Sequence, residues 1–202
     1  MQKLIFATNN RNKVDEIRAA LGQGFEIMSL EEAGIDIDIE EPHGSLEANA
    51  REKSSAIYKL RAMDCFGEDT GLEVEALNGE PGVKSARYAG EQRSSERNIE
   101  KLLQELNGKT NRHARFRTII SLILRGDEYQ FEGICEGTIL QEPAGSGGFG
   151  YDPVFMPLGS TRSFAQMELE EKNLFSHRRM AMDKMISFLK KNSLTREADP
   201  QK

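Results

Sequence analysis

Between Gly145 and Pro153 the chain reads GSGGFGYDP, and this run limits what the surrounding segments can be. Four glycines stand within the six residues 145–150. A helix interior is excluded, because each glycine costs about 1 kcal/mol there, and glycines also make a poor strand. The run suits a backbone that turns sharply or passes close to something else. A free linker would carry Ser, Lys or Glu between its glycines. Here Phe149 and Tyr151 are interleaved, and Asp152 and Pro153 follow at once. Such rings point to a shaped loop that presents groups to a ligand.

The flanking pattern is that of an α/β chain. Leu4, Ile5, Phe6 and Ala7 form a short apolar run, as in a buried first strand. Val14, Ile17 and Leu21 recur at helical spacing, with Gly22 or Gly24 as the expected stop. A second strand is expected over Phe25–Met28, then an extended acidic stretch through Ile35, Ile37 and Ile39. Ser45 is the expected cap of a helix to about Arg61. Glu68 and Asp69 read as the end of a strand, and Gly71, just after Thr70, implies a specified turn that favours a role for these carboxylates; Leu72, Val74 and Ala76 then alternate with acids as in a strand with one wet face. A helix from Ser94 or Ser95 to about Leu106 comes next. Residues 115–125 and 128–137 read as a β-hairpin turning at Gly126 and Asp127, which accounts for the Arg-Gly-Asp triplet without an adhesion role. A short strand spans residues 154–156, and Met182, Met185, Ile186 and Leu189 are the apolar stripe of a last helix opening near Ser176. Residues 192–202 read as a polar tail, leaving 1–191 as one domain.

A net charge of −6 argues against a dedicated nucleic-acid or membrane-surface binder. No long apolar run suggests a transmembrane span, and no signal peptide is read ahead of LIFAT. Cys65 and Cys135 lack metal-ligand spacing and fit buried thiols. A cytoplasmic protein acting on a small molecule is expected.

Three charged groups carry candidate chemistry. Thr8, Asn9, Asn10, Arg11, Asn12 and Lys13 lie between strand and helix, where hydroxyl, amide and cationic groups suit an anion. An ordinary polar cap has the same composition, and neither GxxxxGK[ST] nor GxGxxG is present. Glu40, Glu41, Glu68 and Asp69 offer carboxylate oxygens suited to Mg²⁺, with phosphate oxygens completing its shell, or to the deprotonation of a water. Lys53, Arg87, Lys172, His177, Arg178 and Arg179 are able to line one anion-binding cleft. Cations at the start of the last helix oppose its dipole, so a negative neighbour is expected: a bound polyphosphate, or Glu170 or Glu171. His43 and His113 have no companions in the sequence.

Five blocks, in order, are ATNNRNKVDEI at 7–17, EDTGLEVEAL at 68–77, PGVKSARYAG at 81–90, EPAGSGGFGYDPVF at 142–155 and EEKNLFSHRRMA at 170–181. Over nearly the whole length, from Lys3 to about Leu189, they resemble the Ham1-like inosine triphosphate pyrophosphatase family. The resemblance implies an α/β fold with an elongated mixed β-sheet flanked by helices, two lobes with a central cleft, and a homodimer. It implies Mg²⁺-dependent hydrolysis of ITP, dITP and XTP to nucleoside monophosphate and pyrophosphate. Thr8, Asn9, Asn10 and Lys13 match a triphosphate-binding loop, and Lys53 would neutralise phosphates. Asp69 matches the aspartate that holds Mg²⁺ and accepts a proton, with Glu41, and less closely Glu40, as the other acid. Thr70 matches a substrate-contacting hydroxyl; Phe149, Gly150, Tyr151 and Asp152 a base-recognition loop; Lys172, His177 and Arg178 nucleotide contacts. The family's usual two aspartates and a serine are here Glu68, Asp69 and Thr70, which keeps the charges and the hydroxyl.

On this basis Lys13, Lys53 and Lys172 are expected to clamp the leaving pyrophosphate, and Arg178 or a backbone N–H to meet the 6-keto oxygen of the base. Two rivals are a Maf-type pyrophosphatase acting on modified pyrimidines, dTTP or UTP, and a nucleotide-binding regulator without catalysis. The FGYDP segment and the Ser-His-Arg triplet speak against the first, the carboxylates and lysines against the second.

Overall fold

The computed structural model describes residues 2–20 and 25–197. Strand β1 (Gln2–Phe6), helix α1 (Arg11–Ala20) and strand β2 (Phe25–Met28) form a parallel crossover unit. Helix α2 (Leu46–Arg61) leads to β3 (Cys65–Val74), parallel to β1 on its other side. The two-residue β4 (Pro81–Gly82) pairs back onto β3, and α3 (Ser95–Glu105) follows. Strands β5 (His113–Leu124), β6 (Asp127–Ile139) and β7 (Phe155–Pro157) complete an antiparallel half. The chain closes with α4 (Leu169–Lys172) and α5 (His177–Glu197). The sheet order is β2-β1-β3-β5-β6-β7, with β4 beside β3. This is the expected mixed sheet flanked by helices.

Alternation along β1 assigns its two faces. Leu4 and Phe6 pack with Val14 and Ile17 of α1 and with Met182, Met185 and Leu189 of α5. Ile5 and Ala7 pack on the other face with Ile57 of α2 and with Leu30 and Ile35. Ile37 and Ile39 lie partly buried against that cluster, in a segment that does not join the sheet as a strand. A separate core at the far end of the long strands gathers Leu72, Val74, Leu102, Leu106, Phe116, Phe155 and Phe164. β3 and β5 run through both cores, so polar residues halfway along them sit between two apolar masses.

Two glycines let the helices approach. A Cβ on Gly67 would stand 2.3 Å from the Ala50 carbonyl oxygen of α2, and one on Gly133 would stand 1.9 Å from the His177 carbonyl oxygen of α5. Ser45 caps α2 as expected, accepting from the Ala48 amide.

Several boundaries differ from the sequence reading. The first helix begins at Arg11, so residues 11–13 of the expected loop are its first turn. Its expected stop at Gly22 or Gly24 lies outside the described residues. The hairpin turns at Arg125 and Gly126, both with positive φ (56° and 96°), while Leu124 pairs with Asp127. That is the two-residue primed turn whose twist matches the strands, so Asp127 opens β6 instead of sitting in the turn. α5 continues to Glu197, into the expected polar tail. Cys65 and Cys135 are buried free thiols. Among the described residues no helix is long and apolar enough to cross a membrane.

Candidate active site

The site follows from the pairing of β3. β5 covers one edge of β3 from Cys65 to Val74. On the other edge β1 pairs only with Cys65 and Phe66, and β4 only with Leu72 and Glu73. Residues 67–71 therefore leave that edge open, and a cavity of about 450 Å³ lies against it, within the range usual for small-molecule sites. Glu68 and Asp69 are thus in the middle of a ten-residue strand, not at its end. Gly71 marks a close crossing rather than a turn: a Cβ there would stand 2.7 Å from the Gly82 carbonyl oxygen of β4.

Strand alternation sends the two carboxylates to opposite faces. Asp69 meets α2, where Lys53 Nζ lies 3.1 Å from Oδ1 and Asn49 Nδ2 3.2 Å from Oδ2. The same ammonium lies 2.5 Å from Glu41 and donates to the Glu68 carbonyl at 3.0 Å, on the open strand edge. Arg87 holds Glu41 from behind through its backbone oxygen at 2.9 Å and its carboxylate at 3.3 Å. Burial lifts the Asp69 carboxyl above the ordinary aspartate range, against the pull of Lys53 and Lys13. Burial would raise Glu41 as well, but Lys53 outweighs it and holds that carboxyl below the usual range. Two neighbouring acids with pKa values pushed apart are the arrangement in which one stays charged and the other exchanges a proton.

Glu68 turns to the other face and is fully buried between Lys13 at 2.7 Å and Arg178 at 3.0 Å. Its oxygen also accepts the Thr70 hydroxyl proton. The Thr70 hydroxyl lies 2.6 Å from that of Thr118, and Thr118 Oγ1 2.6 Å from His177 Nδ1. Since Thr70 donates to Glu68, Thr118 must donate to Thr70, and His177 must donate from Nδ1. Burial and then Arg178 push the His177 pKa well down, so the ring is neutral, its single proton is on Nδ1, and Nε2 is an acceptor. Arg178 spends Nε and Nη2 on Glu68 and Thr70, and Nη1 on Glu16. One Nη1 proton remains for a ligand.

The glycine loop is braced from within. Asp152 Oδ2 accepts the Phe149 amide at 2.9 Å and Lys172 Nζ at 2.6 Å. Gly148 has φ +72°, and a Cβ there would fall 2.1 Å from that carboxylate oxygen. Tyr151 is buried in the far core, and its hydroxyl donates to the Ser85 carbonyl at 2.9 Å. Phe149 covers the interior cations, with Lys172 Nζ 5.0 Å and Arg178 Cζ 5.7 Å from its ring centroid. Lys172 is held by Glu16 at 2.7 Å as well as by Asp152. Lys172, at the end of α4, thus ties the aromatic loop to α1 while lining the same cavity as Lys13 and Lys53.

Thr8, Asn9, Asn10, Lys13, Glu41, Lys53, Asp69, Thr70, Phe149, Gly150, Tyr151, Asp152, Lys172, His177 and Arg178 all line the cavity. Arg11 instead pairs with Glu31 on the surface, Asn12 is exposed, and Arg87 stands behind Glu41. Glu40 is exposed and Glu68 lies beneath the wall, so neither lines the cavity. The negative neighbours of the last helix are Glu68 and Glu16 for Arg178 and Asp183 for Arg179; Glu171 pairs with Arg162. His113 does have companions, Glu75 and Glu136, and His43 has Glu52. Sequence reading missed Glu16, Asn49 and Thr118. Asn49 and Glu16 carried a signal, one turn from Lys53 and Lys13 respectively; Thr118 carried none.

Among the described residues no three His, Cys, Asp or Glu side chains gather into a self-sufficient metal site. Glu41 and Asp69 nevertheless converge on one ammonium. A hard cation would find two carboxylates there and take its other ligands from water and phosphate oxygens, the usual manner of holding Mg²⁺.

The chain is similar to known proteins along its length. A family model described as Ham1 family matches residues 4–188. A dITP/XTP pyrophosphatase of Christiangramia forsetii is 48% identical over 94% of this chain and 100% of its own. One from Porphyromonas gingivalis is 50% identical over 94% of this chain and 98% of its own. Among solved structures, the Staphylococcus aureus Ham1 protein has a TM-score of 0.85 at 38% identity, covering 95% of this chain and 100% of that one. A nucleoside-triphosphatase, dITP/XTP pyrophosphatase, from Mycobacterium abscessus has a TM-score of 0.74 at 36% identity, covering 91% and 98%.

Proposed function

The chain belongs to the Ham1 family of nucleoside triphosphate pyrophosphatases, and from that premise we propose that it hydrolyses the deaminated purine nucleotides ITP, dITP and XTP to nucleoside monophosphate and pyrophosphate. The observation that carries the reading is one cavity in which a buried aspartate of raised pKa, two lysines and an aromatic loop meet at the open edge of β3.

The amide-rich turn at Thr8–Asn10, with Lys13 and Lys53, receives the phosphate chain. Asp69, oriented by Asn49 and Lys53, accepts a proton from the attacking water, for which a raised pKa is the right direction. Water oxygen adds to phosphorus, the bond to the bridging oxygen between the α- and β-phosphates breaks, and pyrophosphate leaves beside the lysines. Asp69 and Glu41 would hold Mg²⁺, which when bound neutralises charge on the phosphoryl oxygens. Arg87 keeps Glu41 in place for this. Phe149 covers the base, and the free Nη1 proton of Arg178 meets a 6-keto oxygen that adenine lacks.

A panel of purified nucleoside triphosphates, assayed for pyrophosphate release with and without Mg²⁺, tests this. ITP, dITP and XTP are expected to exceed ATP and UTP in kcat/KM by at least about a hundredfold. Equal turnover of UTP, or release of orthophosphate instead of pyrophosphate, would overturn the reading.

A further inference from the structure

The interior of the site carries no surplus positive charge. Lys13, Lys53, Arg87, Lys172 and Arg178 are five cations, and each is paired with one or two of Glu16, Glu41, Glu68, Asp69 and Asp152, five carboxylates. Asp38, exposed on the same cavity, adds a further negative charge. A nucleoside triphosphate brings about four negative charges near neutrality. A divalent cation offsets only half of them. The charge of every cation already described is offset by an existing partner, and Lys53, with Glu41, Asp69 and the Glu68 carbonyl on its three protons, gives one up when it turns to the phosphates.

One further cation lines the cavity. Arg93 is exposed at its wall, and among the described residues its guanidinium has no hydrogen-bond or ion-pair partner. Its backbone is held at φ +52°, the left-handed region that costs a residue with a Cβ about 1–2 kcal/mol. The Arg93 amide closes a tight turn onto the Gly90 carbonyl at 3.3 Å. Arg97, one turn on, is also exposed, but it bonds Gln92 and does not line the cavity. Strain retained at an unpaired cation on the wall of a ligand cavity points to use there.

We propose that Arg93 binds the terminal phosphates of the incoming nucleotide, drawing the triphosphate in before Lys53 exchanges partners. A guanidinium suits this task because its fork of donors matches phosphate oxygens and it cannot lose its charge. The inference rests on the triphosphate reading above. It adds a contact that none of the glycine-loop or β3 residues supplies.

Arg93→Gly is the informative variant, because glycine adopts the left-handed backbone without strain and removes the guanidinium alone. With ITP and saturating Mg²⁺, KM is expected to rise about tenfold while kcat stays within about twofold, the pattern of a lost charge-assisted binding contact. Inhibition by pyrophosphate weakens by a similar factor, and inhibition by the nucleoside monophosphate does not change. Arg93→Lys recovers most of the loss, and Arg97→Ala leaves KM within about twofold. The proposal is overturned if Arg93→Gly leaves KM unchanged at an unaltered melting temperature. It is equally overturned if monophosphate and pyrophosphate inhibition weaken together, or if Arg97→Ala matches Arg93→Gly. If Arg93→Gly lowers the melting temperature, Arg93→Lys and Arg93→Gln decide on the same split between KM and kcat. A wild-type enzyme that releases no pyrophosphate from any purine triphosphate would instead remove the functional reading on which the proposal stands.

Discussion

Asp69 shows how far one side chain is set by its place in the strand. Its neighbours Lys53 and Asn49 bond it, yet burial still raises its pKa. A carboxyl with a raised folded pKa is less costly protonated than charged, so its contribution to stability improves as pH falls and is least at neutral pH. Replacing it with the neutral isostere removes that cost. Asp69→Asn is therefore expected to lower kcat by roughly 10²–10⁴-fold while melting no lower than wild type at pH 7. Steady-state ITP hydrolysis and a thermal melt check both halves; near wild-type kcat, or a lower melting temperature, would contradict the assignment. Much of the site was legible at this scale. Residue type alone offered Glu40, Glu41, Glu68 and Asp69 alike, with Lys53 among six cations; the family resemblance is what singles out Asp69, Glu41 and Lys53. The side chain each one meets was not legible, because Glu68 and Asp69 separate onto opposite faces only once the strand is known to run on through Gly71.

Elements are positioned here by glycines as much as by apolar stripes. α5 brings His177 and Arg178 to the cavity because β6 has no side chain at Gly133. Gly133→Ala would put a methyl 1.9 Å from the His177 carbonyl oxygen and 2.6 Å from the Ala181 nitrogen, both backbone atoms that cannot swing aside. A loss of about 3 kcal/mol or more is expected, with soluble yield and chemical denaturation as the measurements and wild-type stability as the contrary result. The β5–β6 turn offers the opposite sign. Arg125 occupies a left-handed position that asparagine tolerates better, next to Gly126. Arg125→Asn should stabilise by about 0.5 kcal/mol without affecting ITP turnover, and a lower denaturation midpoint would refute the turn assignment. The hairpin itself is plain from two strand-like runs flanking Gly126 and Asp127, whereas its turn lies one residue earlier than those residues suggest. Its first left-handed residue is an arginine, which carries no turn signal of its own.

At the scale of the molecule, the strands and helices were legible from periodicity, but the ionic girder that ties them together was not. Lys13 and Glu16 come from α1, Glu68 from β3, Asp152 from the glycine loop, Lys172 from α4 and Arg178 from α5. Each reads in sequence as a separate charge; only the fold makes them one buried network. Glu16 is its hinge, since it binds both Lys172 and Arg178. Burial would raise its pKa, but Arg178 and then Lys172 reverse that and hold it at about 2, against an ordinary 4.5. A depressed carboxyl contributes its stability in full above the unfolded value, and loses it as pH falls through the folded value. For Glu16 the window runs from about pH 5 to about pH 2, and the shift corresponds to about 3 kcal/mol. Glu16→Gln keeps the shape and removes the titration. Chemical denaturation at a series of pH values should place the variant about 3 kcal/mol below wild type at pH 7, with the two curves converging as pH approaches 2. Curves that stay parallel across that range would mean that Glu16 only fills space, and that the acid sensitivity of the fold resides in other carboxylates.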